Sequence, residues 1–369
     1  MAGKYTEKKR KTILITGGAG FIGSNVLSYL FEKYPSYHFI VLDILTYAGD
    51  IKNIPKKIHD SNRFRFIYGD VRNGKLVEHL VQQATDVIHF AAETHVARSI
   101  YDDANFFETD VLGTQKIANA VLNNRKNINV FIHISTSEVY GTARARLMTE
   151  EHILVPASPY AAAKAGADRL VFSYYLTYNI PAVIIRPFNQ FGPNQHLEKL
   201  IPRFITSVIS GEPLTIHGAG TSMRDFTYVD DLARAIDLVI HAPTKKVVGE
   251  VFNVGNGKSL SVNQIANLIF SSMKQYAPTT KEAKKSPRTV NMLFSPSVMS
   301  IGDRPGQVFR HTASYAKIKK LLGWEPRVKF EDGLKKTIEW YVANQPWWRD
   351  KMWMRHVPIE TTEGKIEMH

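Results

Sequence analysis

The sequence predicts an α/β protein, a doubly wound parallel sheet followed by a smaller C-terminal α/β lobe, and two observations carry that prediction. From Thr12 onward, short apolar runs alternate with amphipathic stretches, and the runs themselves lack in–out alternation. Strands of that kind are buried on both faces, as in a parallel sheet covered by helices. A glycine turn, Gly17-Gly18-Ala19-Gly20-Phe21-Ile22-Gly23, separates the first such run from a helical pattern. The 369 residues, 44% hydrophobic and 22% charged, suffice for one large domain or two modest ones with a full core.

Taken in order, residues 1–11 form a basic tail that includes Lys8-Lys9-Arg10-Lys11. Strand-like runs follow at 12–15, 39–42, 64–68, 87–90, 130–134 and 182–185, so residues 12–191 read as a dinucleotide-binding domain. After Gly192 the rhythm breaks at Pro193, Pro202, Pro213 and His217-Gly218-Ala219-Gly220, and residues 192–345 read as the second lobe. One run in it, 250–254, is strand-like and is expected to bring part of 225–255 back to the first sheet. Residues 274–303, rich in Lys, Ser, Pro and Thr, read as a loop insertion. A helical pattern with Leu334, Ile338, Trp340 and Tyr341 closes the fold, and 346–369 is a tail.

The net charge of +13 raises nucleic acid as a partner. The basic residues concentrate in the N-terminal tail and around Lys281, Lys284, Lys285 and Arg288, beside no helix-turn-helix, zinc-finger or RRM pattern. They read as solvated segments, with attraction of an anionic substrate or polyanionic surface as the alternative, and nucleic-acid binding is not expected. The absence of cysteine excludes disulfides, zinc–thiolate sites, iron–sulfur clusters and a cysteine nucleophile. No metal-ligand spacing occurs. No run approaches the ~20 apolar residues of a membrane span, and the first run breaks at Gly17, too early for a signal peptide. A cytoplasmic protein is expected.

Gly18 to Gly23 satisfies G-x-G-x-x-G between a buried strand and a helix carrying Val26, Leu27 and Leu30, the context that gives the motif meaning. Gly17, Gly20, Phe21, Ile22 and Gly23 are the expected phosphate cradle, with the pyrophosphate on the helix N-terminus. The next strand ends at Asp43, 20 residues beyond Gly23 (43 − 23). A carboxylate there accepts from both ribose hydroxyls and repels a 2′-phosphate, so NAD is expected rather than NADP. Asp70 and Val71 follow the third strand, where Asp70 either meets the adenine or caps a turn. Ala91 and Ala92 follow the fourth, small where backbone passes the cofactor. Together these features describe a Rossmann-type site.

Tyr160 and Lys164 lie four residues apart, hence on one helix face. The ammonium is expected to lower the phenol pKa and make Tyr160 a base toward a substrate hydroxyl. The fifth strand runs into Ser135-Thr136-Ser137-Glu138-Val139-Tyr140-Gly141, placing Thr136 to hydrogen-bond the reacting oxygen. Glu138 there is either a second base or a turn carboxylate.

Residues 17–23, Asp43, 135–141 and Tyr160 with Lys164 resemble the extended short-chain dehydrogenase/reductase family of sugar-nucleotide enzymes. The dTDP-glucose 4,6-dehydratase branch is the most similar, through residues 42–49, 95–100, 198–202, 224–229, 303–306 and 322–324. The resemblance spans residues 12 to 345. It implies that Tyr160 takes the 4-OH proton as C4 hydride passes to NAD, that Glu138 removes the C5 proton, that water leaves from C6, and that the hydride returns there. The branch usually reads S-T-D-E-V-Y, its aspartate protonating the departing hydroxyl, whereas this chain has Ser137. Glu138 then serves as base and acid, or a water relays the proton. GDP-mannose 4,6-dehydratases and UDP-glucuronate decarboxylases resemble it in reading T-S-E, so decarboxylation and 4-epimerisation stay as alternatives, beside a non-catalytic NAD-binding sensor or scaffold. Ala97 stands where the branch carries aspartate.

The same resemblance implies that Asn189 and Arg224 meet the substrate diphosphate with Lys199 and Arg310 nearby, and includes His95. Arg224 beside Asp225 has a plain salt bridge as its alternative, and His95 and His196 have packing or capping. It further implies a homodimer built on the Tyr160 helix and the helix around 107–122. Val111, Ile117 and Val121 with Leu170, Tyr174 and Tyr178 fit that interface or internal packing equally.

Overall fold

The computed structural model describes residues 11–273, 298–303, 305–360 and 364–368. Nearly all of the basic tail, Lys281, Lys284, Lys285, Arg288, most of 274–303 and Arg304 lie outside the described residues.

Seven parallel strands form the central sheet: β1 (Thr12–Thr16), β2 (His38–Asp43), β3 (Phe64–Tyr68), β4 (Asp86–His89), β5 (Val130–Ile134), β6 (Ala182–Pro187) and β10 (Val251–Val254). Their order is β10-β6-β5-β4-β1-β2-β3. The chain winds outward from β1 to β3, then restarts at β4 and winds the other way. The crevice between β1 and β4, where the winding reverses, is where open α/β sheets bind ligands. Ile13, Ile15, Ile88, Ile132 and Val254 bury one face of the sheet, while Leu14, Val87, Phe131 and Ile184 bury the other. This two-sided burial explains why the runs do not alternate. β10 arrives late in the chain and completes the edge beside β6.

Between β6 and β10 lie β7 (Asn189–Phe191), β8 (Leu214–His217) and β9 (Met223–Tyr228), and after β10 come β11 (Ser259–Ser261) and β12 (Val298–Ile301). β11, β9 and β7 make one small sheet, and β12 pairs with β8. The helices Leu200–Ser210, Val262–Met273 and Phe330–Ala343 pack on these strands around Phe191, Phe204, Ile265, Leu334 and Trp348, a core separate from that of the large sheet.

Two features set the position of the site. The helix Pro159–Tyr178 is capped by Ser158, whose hydroxyl accepts from the Ala161 N–H, starts on proline, and ends at Asn179 in the left-handed region (φ 55°). The segment Phe107–Gly113 winds as a π-helix against it, between Ala104–Phe106 and the helix Thr114–Asn123. Ile117 and Val121 are fully buried against the sheet. They serve internal packing; the exposed apolar residues here are Tyr101, Phe107, Leu112, Leu176 and Tyr178.

Candidate active site

One long cleft runs over the C-terminal ends of β1, β2, β4 and β5 and into the second lobe. At its first end lies the glycine turn. Gly17 has φ +70°, and a Cβ on it would stand 2.6 Å from the Ala91 nitrogen; one on Gly23 would stand 2.4 Å from the Gly17 carbonyl. A side chain on Gly17 would push against the chain leaving β4, and one on Gly23 would push the helix away from the turn before it. The helix Phe21–Lys33 begins at Gly20 with no side-chain cap and no acidic residue in its first turn. Its first N–H groups therefore remain as donors for an anion. A cradle that only glycine fits, ending on an uncapped helix, suits a pyrophosphate.

Phe21, Ile22, Val71, Ala91 and Ala92 line the same wall. Asp43 lies at the end of β2, its Oδ2 accepting from the Ala19 N–H at 2.9 Å and its Oδ1 from the Leu45 N–H at 2.8 Å. Burial raises its pKa and those two N–H groups pull it back. Each oxygen keeps a second lone pair, and the residue lines the cleft, so the ribose assignment fits. Asp70 also lines the cleft, but it accepts from the Arg72 backbone at 2.8 Å and the Arg72 Nε at 2.7 Å. Its turn role is therefore real.

Thr136, Ser137, Glu138, Tyr160 and Lys164 meet in the middle of the cleft. Thr136 caps the 3-10 turn Ser137–Tyr140 by accepting from the Glu138 N–H, and its hydroxyl also hydrogen-bonds Tyr160. A buried network holds this turn against the Tyr160 helix. Arg186 on β6 grips Asp168 through two bonds of 2.8 and 2.9 Å, and donates to the Tyr140 hydroxyl at 2.9 Å. That hydroxyl donates to Asn253 on β10 at 2.8 Å.

The electrostatics differ from expectation. Lys164 spends its ammonium on the Ile134 carbonyl at 2.7 Å, and burial lowers its pKa while Asp110 and Asp168 oppose that. Burial lifts Tyr160 above its ordinary value, and the Asp110 charge lifts it further. The expected net lowering of the phenol is not what the site produces: desolvation is the largest influence and lifts it. Asp110, on the π-helix, is a residue sequence reasoning missed. It is fully buried, accepts from the Glu93 N–H at 2.8 Å, and leaves Oδ2 without a hydrogen bond among the described residues.

At the far end, Asn189, Lys199, Arg224 and His95 line the cleft. Lys199 donates to the Thr94 carbonyl at 2.7 Å and stands 3.0 Å from Glu198. His95 caps a short helix through Nδ1 and presents Nε2 to Glu198 at 3.5 Å. His196 lies 3.3 Å from the same carboxylate, and Tyr47 donates to it at 3.0 Å. Glu198 was visible in the sequence only as part of a longer motif.

Asp225 spends its carboxylate on the N–H groups of Asn256, Gly257 and Ala313, which is no salt bridge to Arg224. Arg310 does not line the cleft: it is half-buried and donates to the Ala145 carbonyl at 2.6 Å. Arg310 forms a bridge with Met223, and in extended chain the next side chain points the opposite way. That residue is His311, fully buried, 3.2 Å from the Ser137 hydroxyl and 3.8 Å from Glu138.

Fold and cleft together define an extended short-chain dehydrogenase/reductase of the sugar-nucleotide dehydratase branch. More particularly, the chain belongs to the family described as GDP-mannose 4,6 dehydratase, whose model matches residues 14–337. It is 38% identical over 350 residues to an Arabidopsis thaliana trifunctional UDP-glucose 4,6-dehydratase/UDP-4-keto-6-deoxy-D-glucose 3,5-epimerase/UDP-4-keto-L-rhamnose-reductase, covering 94% of this chain and 49% of that one. The chain thus spans about half the length of that relative. It is also 38% identical over 340 residues to a dTDP-glucose 4,6-dehydratase of Streptomyces niveus, covering 91% and 94%. A crystal structure of a double mutant of the Streptomyces venezuelae dTDP-glucose 4,6-dehydratase, with NAD and DAU bound, superposes with a TM-score of 0.81. That match has 36% identity and covers 92% of this chain and 99% of the other. No helix among the described residues is long and apolar enough to cross a membrane.

Proposed function

We propose that the protein is an NAD-dependent 4,6-dehydratase of a nucleoside-diphosphate hexose, forming the 4-keto-6-deoxy sugar. The observation that carries this reading is the presence of two bases in one cleft, Tyr160 and Glu138, beside a dinucleotide cradle. An epimerase needs only the first. NAD, when bound, takes the hydrogen of C4 and restores one at C6. Tyr160 accepts the O4 proton while Thr136 steers that oxygen, and the ketone so formed acidifies C5–H. Glu138 then removes the C5 proton, and O6 departs with a proton as water.

Asp43 favours NAD over its 2′-phosphorylated form. Asn189, Lys199 and Arg224 hold the diphosphate, since amide, ammonium and guanidinium donors match its charge. Burial favours the uncharged forms of both Tyr160 and Lys164, and a bound oxidised nicotinamide would supply positive charge that favours the phenolate.

The chain acts as a homodimer through the face bearing Phe107, Leu112, Leu176 and Tyr178, four exposed apolar side chains on neighbouring segments. A cysteine-free chain suits a reducing compartment, and the cytoplasm is its place of action. Incubation with UDP-, dTDP- and GDP-hexoses and UDP-glucuronate, followed by mass spectrometry, tests the reading. Loss of water is the expected result. Loss of carbon dioxide instead identifies a decarboxylase, and unchanged mass with a new NMR pattern an epimerase.

A further inference from the structure

Eliminating water from C6 requires a proton on O6, and the side chain beside Glu138 is Ser137, too weak an acid to give one unaided. We propose that His311 carries the C5 proton from Glu138 to Ser137 through its Nδ1, so that Ser137 protonates the departing 6-hydroxyl. The proposal rests on the dehydratase reading.

The ring's tautomer follows from its partners. His311 Nε2 lies 2.9 Å from the Gly141 carbonyl, which can only accept, so Nε2 carries the hydrogen. Nδ1 of the neutral ring is then a lone pair, and the Ser137 hydroxyl at 3.2 Å donates to it. The same nitrogen stands 3.8 Å from Glu138 Oε1. One acceptor atom thus faces both the side chain that gains a proton and the one that must lose it. Phe188 closes the site edge-on, with ring centroids 6.1 Å apart, and His311 is fully buried. Burial keeps the ring's pKa below the ordinary value; Glu138 and the Gly141 carbonyl raise it, whereas Arg224 and His152 lower it. Burial thus favours the neutral ring, whose Nδ1 lone pair meets the Ser137 hydroxyl.

The proton count closes. Glu138 takes the C5 proton and hands it to Nδ1. The C5–H electron pair becomes the C5=C6 bond, and the C6–O6 pair leaves with oxygen. O6 takes the Ser137 proton, and Ser137 takes the one on Nδ1. Glu138 ends as carboxylate, the ring neutral and the serine intact, with one proton lost from C5 and one gained by O6.

Single-turnover reactions with a hexose nucleotide that the wild type dehydrates test this, following reduced-cofactor absorbance and release of water separately. In His311→Asn the reduced-cofactor signal forms and persists, and elimination falls ~10²-fold or more. Adding Ser137→Asp supplies an acid that needs no relay, so the double variant recovers to within ~10-fold of wild type. The relay is overturned if His311→Asn eliminates at the wild-type rate, if it slows oxidation and elimination alike, or if the double variant stays slow. A wild type that releases no water from any hexose nucleotide removes the dehydratase reading itself and the relay with it. Independently, ¹⁵N NMR of the ligand-free protein is expected to show His311 protonated on Nε2 alone; a proton on Nδ1 at neutral pH overturns the proposal.

Discussion

Glu138 sits on the cleft wall 3.8 Å from His311, on the turn Ser137–Tyr140 rather than on the Tyr160 helix, so the two roles can be tested separately. Glu138→Gln is expected to leave formation of the reduced cofactor intact and to slow elimination ~10²–10⁴-fold; turnover equal to wild type would refute its role as the C5 base. Tyr160→Phe, in contrast, is expected to stop the reduced-cofactor signal from forming at all, and a signal that persists counts against Tyr160 as the O4 base. These residues were legible in the sequence because each stands in a local pattern: Gly17 to Gly23 in one turn, Asp43 at a strand end, Tyr160 and Lys164 one helical turn apart. His311 was not legible. Its partner Ser137 is 174 positions away, and nothing local says which of two neighbours, Arg310 or His311, faces inward. The pKa of Tyr160 was misread for a related reason: charge spacing along a helix is visible in sequence, desolvation is not.

Among elements, the Tyr160 helix and β6 are joined by Arg186 and Asp168, both nearly or fully buried. Arg186→Met leaves the Asp168 carboxylate with Arg169 and the Ser135 hydroxyl beside it and is expected to cost ~3 kcal/mol of stability, read in a denaturant melt. A loss under ~1 kcal/mol would mean that Arg169 and water take over. A second junction ties the helix Phe21–Lys33 to the helix Val229–His241. Burial alone would raise the Asp237 pKa, but hydrogen bonds from His241, Lys33 and Tyr34 hold it at about 2. A depressed carboxylate adds stability that is complete above its ordinary value of 3.8 and is lost as the pH falls toward 2. Lys33 is half exposed, so the effect is modest. Melting temperatures of the wild type should drop through this acid window more steeply than those of Asp237→Asn; parallel curves would show that the junction contributes nothing.

At the scale of the molecule, the sheet was readable because buried parallel strands leave uninterrupted apolar runs between glycine turns, and β10 was readable as one more such run. The second lobe was read only in outline. Its strands β7 and β11 have three residues each, too short to carry a period, and its core assembles residues from Phe191 to Trp348. The apolar face at Leu176 lies wholly outside either core. Leu176→Asp is expected to convert a dimer into monomers in sedimentation velocity without changing the melting profile of the monomer; a wild type that sediments as a monomer removes the proposed interface.

The π-helix at Phe107–Gly113 works as a spacer in the chain's reading frame. Upstream of it, Phe106 must meet the Tyr160 ring, 6.2 Å between centroids; downstream, Ile117 must enter the sheet core. Each residue turns a helix by about 100°, so both demands hold only with one residue more than a regular helix would use. Removing Leu112 would set the two registers against each other, and the side chain most exposed to that conflict is Asp110, which would swing away from Lys164. A residue whose side chain lies exposed is thereby a length element of the site, and its deletion would cost more than the loss of its side chain from the proposed dimer face.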